Sequence, residues 1–315
     1  MEDQLNNYAS KFSRLKVDRS KGHPAPHKPL LLLSIIQEIE VGNIRENKIC
    51  ITPELVARFK ENFFHLIKVE TFTTNFSLPF YHLKSAGFWH FNYRVGKQLQ
   101  LTSSFSIKSL KQLQEVIEHA YFDEALFLLL IQNQTREILK NCIIETYFNG
   151  RVIKETWVNS YFHGVEELLL NEPAVRYKKD IITLDEEEIF IRKGAFKKVV
   201  PRIYNQSCCI SGMRIISSLE IQMVDACHIV PFFESHDDTI TNGISLCPNL
   251  HRAFDRGLIA IDNNFQIIVS DKFSEGGVDY SIAQYANRKL ILPLDVKYYP
   301  AINNLEWHRQ NIFKS

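Results

Sequence analysis

The stretch from Val224 to Asp255, VDACHIVPFFESHDDTITNGISLCPNLHRAFD, sets His228, Asn242 and His251 at intervals that build a small strand-strand-helix unit. Gln222 to Val230 alternates apolar and polar side chains and stops at Pro231, which predicts a strand with His228 near its end. Thr239 to Cys247 opens with polar residues, includes Asn242-Gly243, a pair that favours a tight turn, and continues as a short strand through Ile244, Ser245 and Leu246. Pro248 then suits a first helical position and Asn249 an end cap, while Leu250, Phe254 and Leu258 recur at helical spacing.

Such a unit sets one imidazole on a strand against a second on a helix, with room between them for a divalent ion and a phosphate. A neutral imidazole is poised near neutral pH to take a proton from water, and a cation neutralises charge building on the phosphate and the departing oxygen. The expected chemistry is phosphodiester hydrolysis. Strand alternation puts Asp225 and Cys227 on one side, so Asp225 is a candidate metal ligand or an orienter of a nearby basic side chain. Asp255, one helical turn after His251, is the other candidate ligand.

The segment resembles the HNH endonuclease family, whose pattern is a His followed by Pro, an Asn before an apolar-Cys pair, and a His on the following helix. The resemblance implies that His228 is the general base, that Asn242 braces the loop and orients that base, and that His251 binds the metal. It also implies a divalent cofactor. Magnesium or manganese is the default for oxygen ligands and phosphate, while nickel, cobalt or zinc fits imidazole. The family often carries an acid or a His directly before the base, and here that position is Cys227.

Cys208, Cys209, Cys227 and Cys247 cluster near this motif without a CxxC pair, so no structural zinc is expected. Cys208-Cys209-Ile210-Ser211-Gly212 reads as a knuckle turn held by packing, and Cys50 and Cys142 as small core residues. Six cysteines without disulfide-like spacing suggest a reducing, cytoplasmic setting. The longest apolar run, Pro29 to Ile36, is too short to cross a bilayer, and the polar start lacks a signal-peptide core, so no membrane partner is expected.

A net charge of +1 does not by itself point to nucleic acid, but the cations are bunched. Lys11 to Lys28 carries six basic residues against the single acid Asp18, and Arg192 to Arg202 carries five with no acid, just after the acidic tract Asp185 to Glu188. That tract and the Asn171-Glu172-Pro173 turn mark an expected domain join. The apolar-periodic region Phe122 to Leu170 reads as helices broken at Asn149-Gly150 and near His163-Gly164.

Near the start, His23-Pro24-Ala25-Pro26-His27-Lys28-Pro29 precedes an apolar helix from Leu30 to Ile39. A strand is expected at Lys48 to Ile51 and a helix from Thr52-Pro53-Glu54 to Leu66. Asn75-Phe76-Ser77-Leu78-Pro79-Phe80 reads as a Pro- and aromatic-rich loop. Beside the basic, imidazole-bearing loop it would form a pocket apolar on one wall and cationic on the other. A weakly hydrated, negatively charged sulfur on a DNA backbone suits both walls.

PHKPLLLL together with LPFYHLKSAGFW resembles the sulfur-binding domain of phosphorothioate-dependent, McrA-like restriction endonucleases, in which that domain precedes an HNH nuclease. The resemblance implies a DNA contact from Arg19, His27 and Lys28 and an apolar wall of Leu78, Pro79 and Phe80. Leu78 stands where such domains can carry a Tyr, which leaves another backbone mark or plain DNA open.

The expected fold class is α+β: an N-terminal α/β DNA-reader domain over 1–120, a helical connector over 121–185 and a C-terminal ββα-metal HNH nuclease domain over 186–315. The expected function is restriction of marked double-stranded DNA by metal-dependent hydrolysis, with a homodimer as one route to cutting both strands. The rival readings are a non-cleaving module that binds modified DNA, and an HNH nuclease acting on other DNA or on RNA.

Overall fold

The computed structural model describes residues 2–20, 23–68, 71–97, 107, 109–149, 160–171, 185–215, 221–276 and 280–315. The chain divides into two compact units, Met1–His163 and Gly164–Ser315.

The first unit is built around a helix that is buried on every side. Helix α2 (His27–Glu40) buries eleven consecutive residues from Pro29 to Ile39, mostly apolar, and a helix with no exposed face over that length lies in the middle of its domain. Around it pack α3 (Pro53–Leu66), α4 (Ser77–His82), α6 (Glu124–Ile131) and α7 (Asn133–Phe148), and α1 (Glu2–Ser13) packs on α6 and α7. Thr52 caps α3, its hydroxyl accepting from the Leu55 amide at 3.2 Å, as the Thr-Pro-Glu sequence predicts. Burying Arg58 on this helix requires partners, and these include Glu38 at 3.0 Å and Glu61 at 3.1 Å.

Strands β1 (Trp89–Tyr93) and β2 (Ile117–Phe122) pair antiparallel in the register Trp89 to Phe122, with α5 (Leu110–Val116) leading into β2. The strand expected at 48–51 shrinks to a single bridge between Ile49 and Ala120. Helix α7 ends at Asn149, whose φ of 53° is the left-handed stop expected there. Because α6 and α7 pack on α1 and α2, the first part of the segment read as a connector belongs to this unit's core. No break occurs at His163-Gly164, since α8 (Ser160–Asn171) runs through it. The turn expected at 171–173 lies outside the described residues beyond Asn171.

In the second unit, the acidic and basic tracts form one helix, α9 (Glu186–Ile203). Asp185 caps it at 2.8 Å from the Glu188 amide, and three Glu residues fill the first turn, where negative charge meets the positive end of the helix dipole. Helix α9 packs across β3 (Asp225–His228) and β4 (Gly243–Leu246), which pair antiparallel with His228 opposite Gly243. The short α10 (Phe232–Ser235) lies in the loop between them, and α11 (Pro248–Asp255) follows β4. A hairpin of β5 (Ile259–Ile261) and β6 (Ile267–Val269) and a C-terminal α12 (Ile302–Asn311) complete the unit.

The expected β-β-α order is present, with two differences. Gly243 has φ of −122°, so it makes no left-handed turn. A Cβ there would come within 2.7 Å of Val200 and 2.8 Å of Phe196, so close approach by α9 is what demands glycine. Cys247, rather than Asn249, stands at the helix cap with Pro248 first inside, and Gly257, at φ 74°, ends the element before Leu258.

The knuckle turn is real. Cys208 N donates to Met213 O at 2.9 Å, Gly212 N to Cys208 O at 2.9 Å, and both Cys208 and Cys209 are buried. Cys50, by contrast, is exposed, on the opposite side of its segment from the buried Ile49, and Cys142 is half-buried with its thiol on Ala9 O. Among the described residues no helix is long and apolar enough to cross a membrane.

Candidate functional site

Strand β3 divides the motif into two sides. His228 lies against α9, its ring stacked on Phe196 with centroids 4.1 Å apart and planes 7° from parallel. Its Nε2 sits 2.7 Å from Oδ1 of Asp238, a carboxylate that is fully buried. An ionised Asp at that distance accepts from Nε2–H and so fixes the tautomer that leaves the Nδ1 lone pair open. Phe232 completes the surround at 6.0 Å, and Lys193 holds its ammonium 4.0 Å over the Phe232 ring.

Asn242 is fully buried and uses its whole amide to tie the loop shut. Its Oδ1 accepts from Val230 N at 2.9 Å, and its Nδ2 donates to Val230 O at 3.0 Å and to Asp237 O at 2.9 Å. The loop thus braced is the one that carries Asp238 to His228.

On the other side, Asp225 and Cys227 meet helix α11. Each ring nitrogen of His251 has a carboxylate beside it: Nδ1 lies 3.4 Å from Asp225, and Nε2 lies 3.4 Å from Asp255. The Cys227 thiol donates to Asp255 Oδ1 at 3.6 Å. Cys227, His251 and Asp255 each offer a ligand atom within 4.8 Å of the others, a spacing that one cation can bridge. Burial, reinforced by the Asp255 charge, pushes the Cys227 thiol well up from its ordinary range in the absence of a cation. The hydrogen bond between Cys208 and Cys247 draws the Cys208 thiol down to about 5 and pushes Cys247 up.

The first unit holds a pocket of about 490 Å³. His27, Lys28, Leu78 and Pro79 line it, as the sequence led us to expect, together with Lys16, Phe72, Asn75 and His82. Lys28 Nζ donates to Lys16 O at 2.8 Å and to Ser85 Oγ at 3.0 Å, and His27 Nε2–H donates to Thr73 O at 2.8 Å. Burial and the neighbouring Lys16 lower the Lys28 pKa; burial, then Lys28 and Lys84, lowers that of His82. These cations repel one another, so a bound anion would relieve them.

One expected contact falls elsewhere. Phe80 is fully buried, its ring 5.3 Å from Trp89 and 5.4 Å from Phe76, because 77–82 forms helix α4 rather than a loop and turns that residue inward. Phe72 takes its place on the pocket wall. Arg19 is exposed on the segment that supplies Lys16, Val17 and Asp18, without itself lining the pocket.

Sequence reasoning missed Asp238, Phe196 and the pocket residues Lys16 and His82. Lys16 was legible only as one of a run of cations, and Phe196 only as a core position of α9. Cys227 was noted for its position but not as a ligand.

Two family models match the chain: HNH endonuclease over residues 208–262, and the ScoMcrA-like DNA sulfur-binding domain over residues 6–160. No curated protein matches it. Among solved structures it is similar to a modification-dependent TagI restriction endonuclease, with 22% identity over 37% of each chain and a TM-score of 0.28. It is also similar to the sulfur-binding domain of ScoMcrA complexed with phosphorothioated DNA, with 20% identity, 48% of this chain, 94% of that one and a TM-score of 0.37. A third is the Type IV phosphorothioation-dependent restriction endonuclease ScoMcrA, with 11% identity, 78% of this chain, 93% of that one and a TM-score of 0.36. The chain spans about a third of the TagI endonuclease structure.

Proposed function

From a chain that carries a ScoMcrA-like DNA sulfur-binding domain ahead of an HNH endonuclease domain, we propose a restriction enzyme that reads phosphorothioated DNA in the first unit and hydrolyses a phosphodiester in the second. One observation supports the cutting half above all. Cys227, His251 and Asp255 bring ligand atoms within 4.8 Å of one another, and His228 follows Cys227 in the same strand.

In this reading the Nδ1 of His228 takes a proton from the attacking water, whose oxygen bonds to phosphorus as the bond to the leaving oxygen breaks. Asp238 holds the ring in the tautomer that can do this and stabilises the imidazolium that forms. The flat contact with Phe196 restricts ring rotation, and Asn242 keeps the intervening loop at its length. A divalent ion bound by His251 and Asp255 would offset the charge that develops on the phosphate and the leaving oxygen. Magnesium or manganese suits the carboxylates, and nickel, cobalt or zinc suits the imidazole. One such site cuts one strand, so a double-strand break takes two copies, as in a homodimer, or two successive cuts.

The reading half rests on the pocket chemistry. Lys28 and Lys16 supply positive charge, and Leu78, Pro79 and Phe72 supply the apolar surface that a sulfur tolerates better than an oxygen does. Matched plasmids with and without phosphorothioate links, incubated with divalent ions, test both halves together. Cutting confined to the sulfur-bearing plasmid and lost in His228→Ala is the expected result. Equal cutting of both plasmids discards the sulfur reader, and binding without cutting discards the nuclease.

A further inference from the structure

The inference here rests on the nuclease reading and concerns which atoms the ion meets. Cys227 is fully buried at the root of the site, its Sγ 3.6 Å from Asp255 Oδ1 and 3.5 Å from the His228 carbonyl oxygen. On the same side of β3 stand two carboxylates, Asp225 and Asp255, each roughly half exposed and flanking one imidazole. Negative charge is in excess here, and among the described residues this is the one cluster of His, Cys and acidic side chains spaced to hold an ion.

We propose that Cys227 Sγ, His251 Nε2 and a carboxylate oxygen of Asp255 form a mixed sulfur, nitrogen and oxygen ligand set that selects a borderline cation such as cobalt, nickel or zinc over magnesium. Asp225, beside Nδ1, is a positioning residue that accepts from the other ring nitrogen, an arrangement that fixes the ring's orientation and raises its basicity as a ligand. Thiolate and imidazole favour softer divalent ions, whereas magnesium prefers oxygen donors and keeps several of its waters. Binding forms one metal-sulfur bond and releases the thiol proton to solvent, with no change of oxidation state. The open positions of the ion remain for water and phosphate.

Cobalt chloride is the probe, added to the full chain after chelation and followed by absorption. The thiolate gives a near-ultraviolet charge-transfer band that an oxygen and nitrogen site lacks. We expect this band at one equivalent in the unmodified protein. In Cys227→Ser the band disappears, the weaker visible bands persist, and the Kd for cobalt rises at least about tenfold, since even an outer partner of a ligand is worth that much. In His251→Ala cobalt binding is lost. Cys208→Ser, a change at a buried cysteine outside the ligand set, keeps the band. Circular dichroism checks the fold of each variant, and Cys227→Ala replaces Cys227→Ser if the serine is not tolerated.

A missing band in the unmodified protein, a band that survives at Cys227→Ser, or magnesium displacing cobalt at equal concentration overturns the proposal. Any of these with DNA cutting intact removes the thiolate ligand and leaves the nuclease standing. A protein that shows the band yet cuts no DNA with any ion keeps the ligand set and sinks the nuclease.

Discussion

Asp238 shows how much of the site is carried by a residue with no motif of its own. It follows another acid, Asp237, in a loop without periodicity, and only the fold separates their jobs. Asp237 accepts from Thr239 N at 2.8 Å and ties the turn, whereas Asp238, fully buried, reaches His228 Nε2 at 2.7 Å. Replacing Asp238 by Asn keeps the shape but lets an amide N–H point at Nε2, which turns the ring to the tautomer whose Nδ1 carries the proton. The base would then have no lone pair where water needs it. Asp238→Asn should therefore lower the single-turnover cutting rate by about 10²- to 10⁴-fold, the usual worth of a general base, with DNA affinity little changed. A variant that loses DNA affinity but cuts at the normal rate once saturated would refute the pairing.

At the scale of elements, α11 must be held still for His251 and Asp255 to keep their spacing, and α12 holds it. The ring of His308 stacks on Phe254 with centroids 3.8 Å apart, and its Nε2–H donates to Phe254 O at 3.1 Å. Close behind, Gly257 lets the C-terminal segment in, because a Cβ there would lie 2.0 Å from Ile312 O. Burial lowers the His308 pKa from 6.5 to about 4. Between those values the unfolded chain binds more protons than the folded one, so stability is full above pH 6.5 and falls as the pH drops toward 4. At ~1.4 kcal/mol per unit the loss is about 3 kcal/mol. Urea midpoints between pH 7 and 4 should show this loss, and His308→Gln should flatten the part that belongs to His308. An unchanged slope in the variant would assign the acid sensitivity to other groups.

The same elements show what could be read in advance. The β3, β4 and α11 segments were legible because alternation, Pro248 and helical spacing agree locally. What failed depended on distant packing. The Asn242-Gly243 pair reads as a turn, yet glycine is required by Val200 and Phe196, more than forty residues away in sequence. Leu78-Pro79-Phe80 reads as an aromatic loop, yet it lies on α4, whose inner face buries Phe80. The acidic and basic tracts at 185–202 suggest a boundary followed by a patch, and a single capped helix uses both. Periodicity reports the face of an element, but not which neighbour will cover it.

Across the whole molecule, the two units divide chemistry that one metal-independent and one metal-dependent measurement can tell apart. The pocket of Lys16, Lys28, His82 and Leu78 belongs to Met1–His163, and the cluster of Cys227, His251 and Asp255 belongs to Gly164–Ser315. Each set is held by its own core, α2 in one and the β3-β4-α11 unit in the other. Lys28→Ala removes a cation whose pKa is already lowered by burial and by Lys16, the state in which an anion gains most from meeting it. It should weaken binding of phosphorothioated duplex by at least about tenfold, or ~1.4 kcal/mol, while cobalt uptake stays unchanged. His251→Ala should do the reverse, holding duplex affinity in EDTA within about twofold while abolishing both cobalt uptake and cutting. Binding titrations of the two variants, run side by side on marked and unmarked duplexes, decide the matter. If His251→Ala loses the marked duplex as well, recognition of the mark extends into the nuclease unit, and the separation argued from the two cores is wrong.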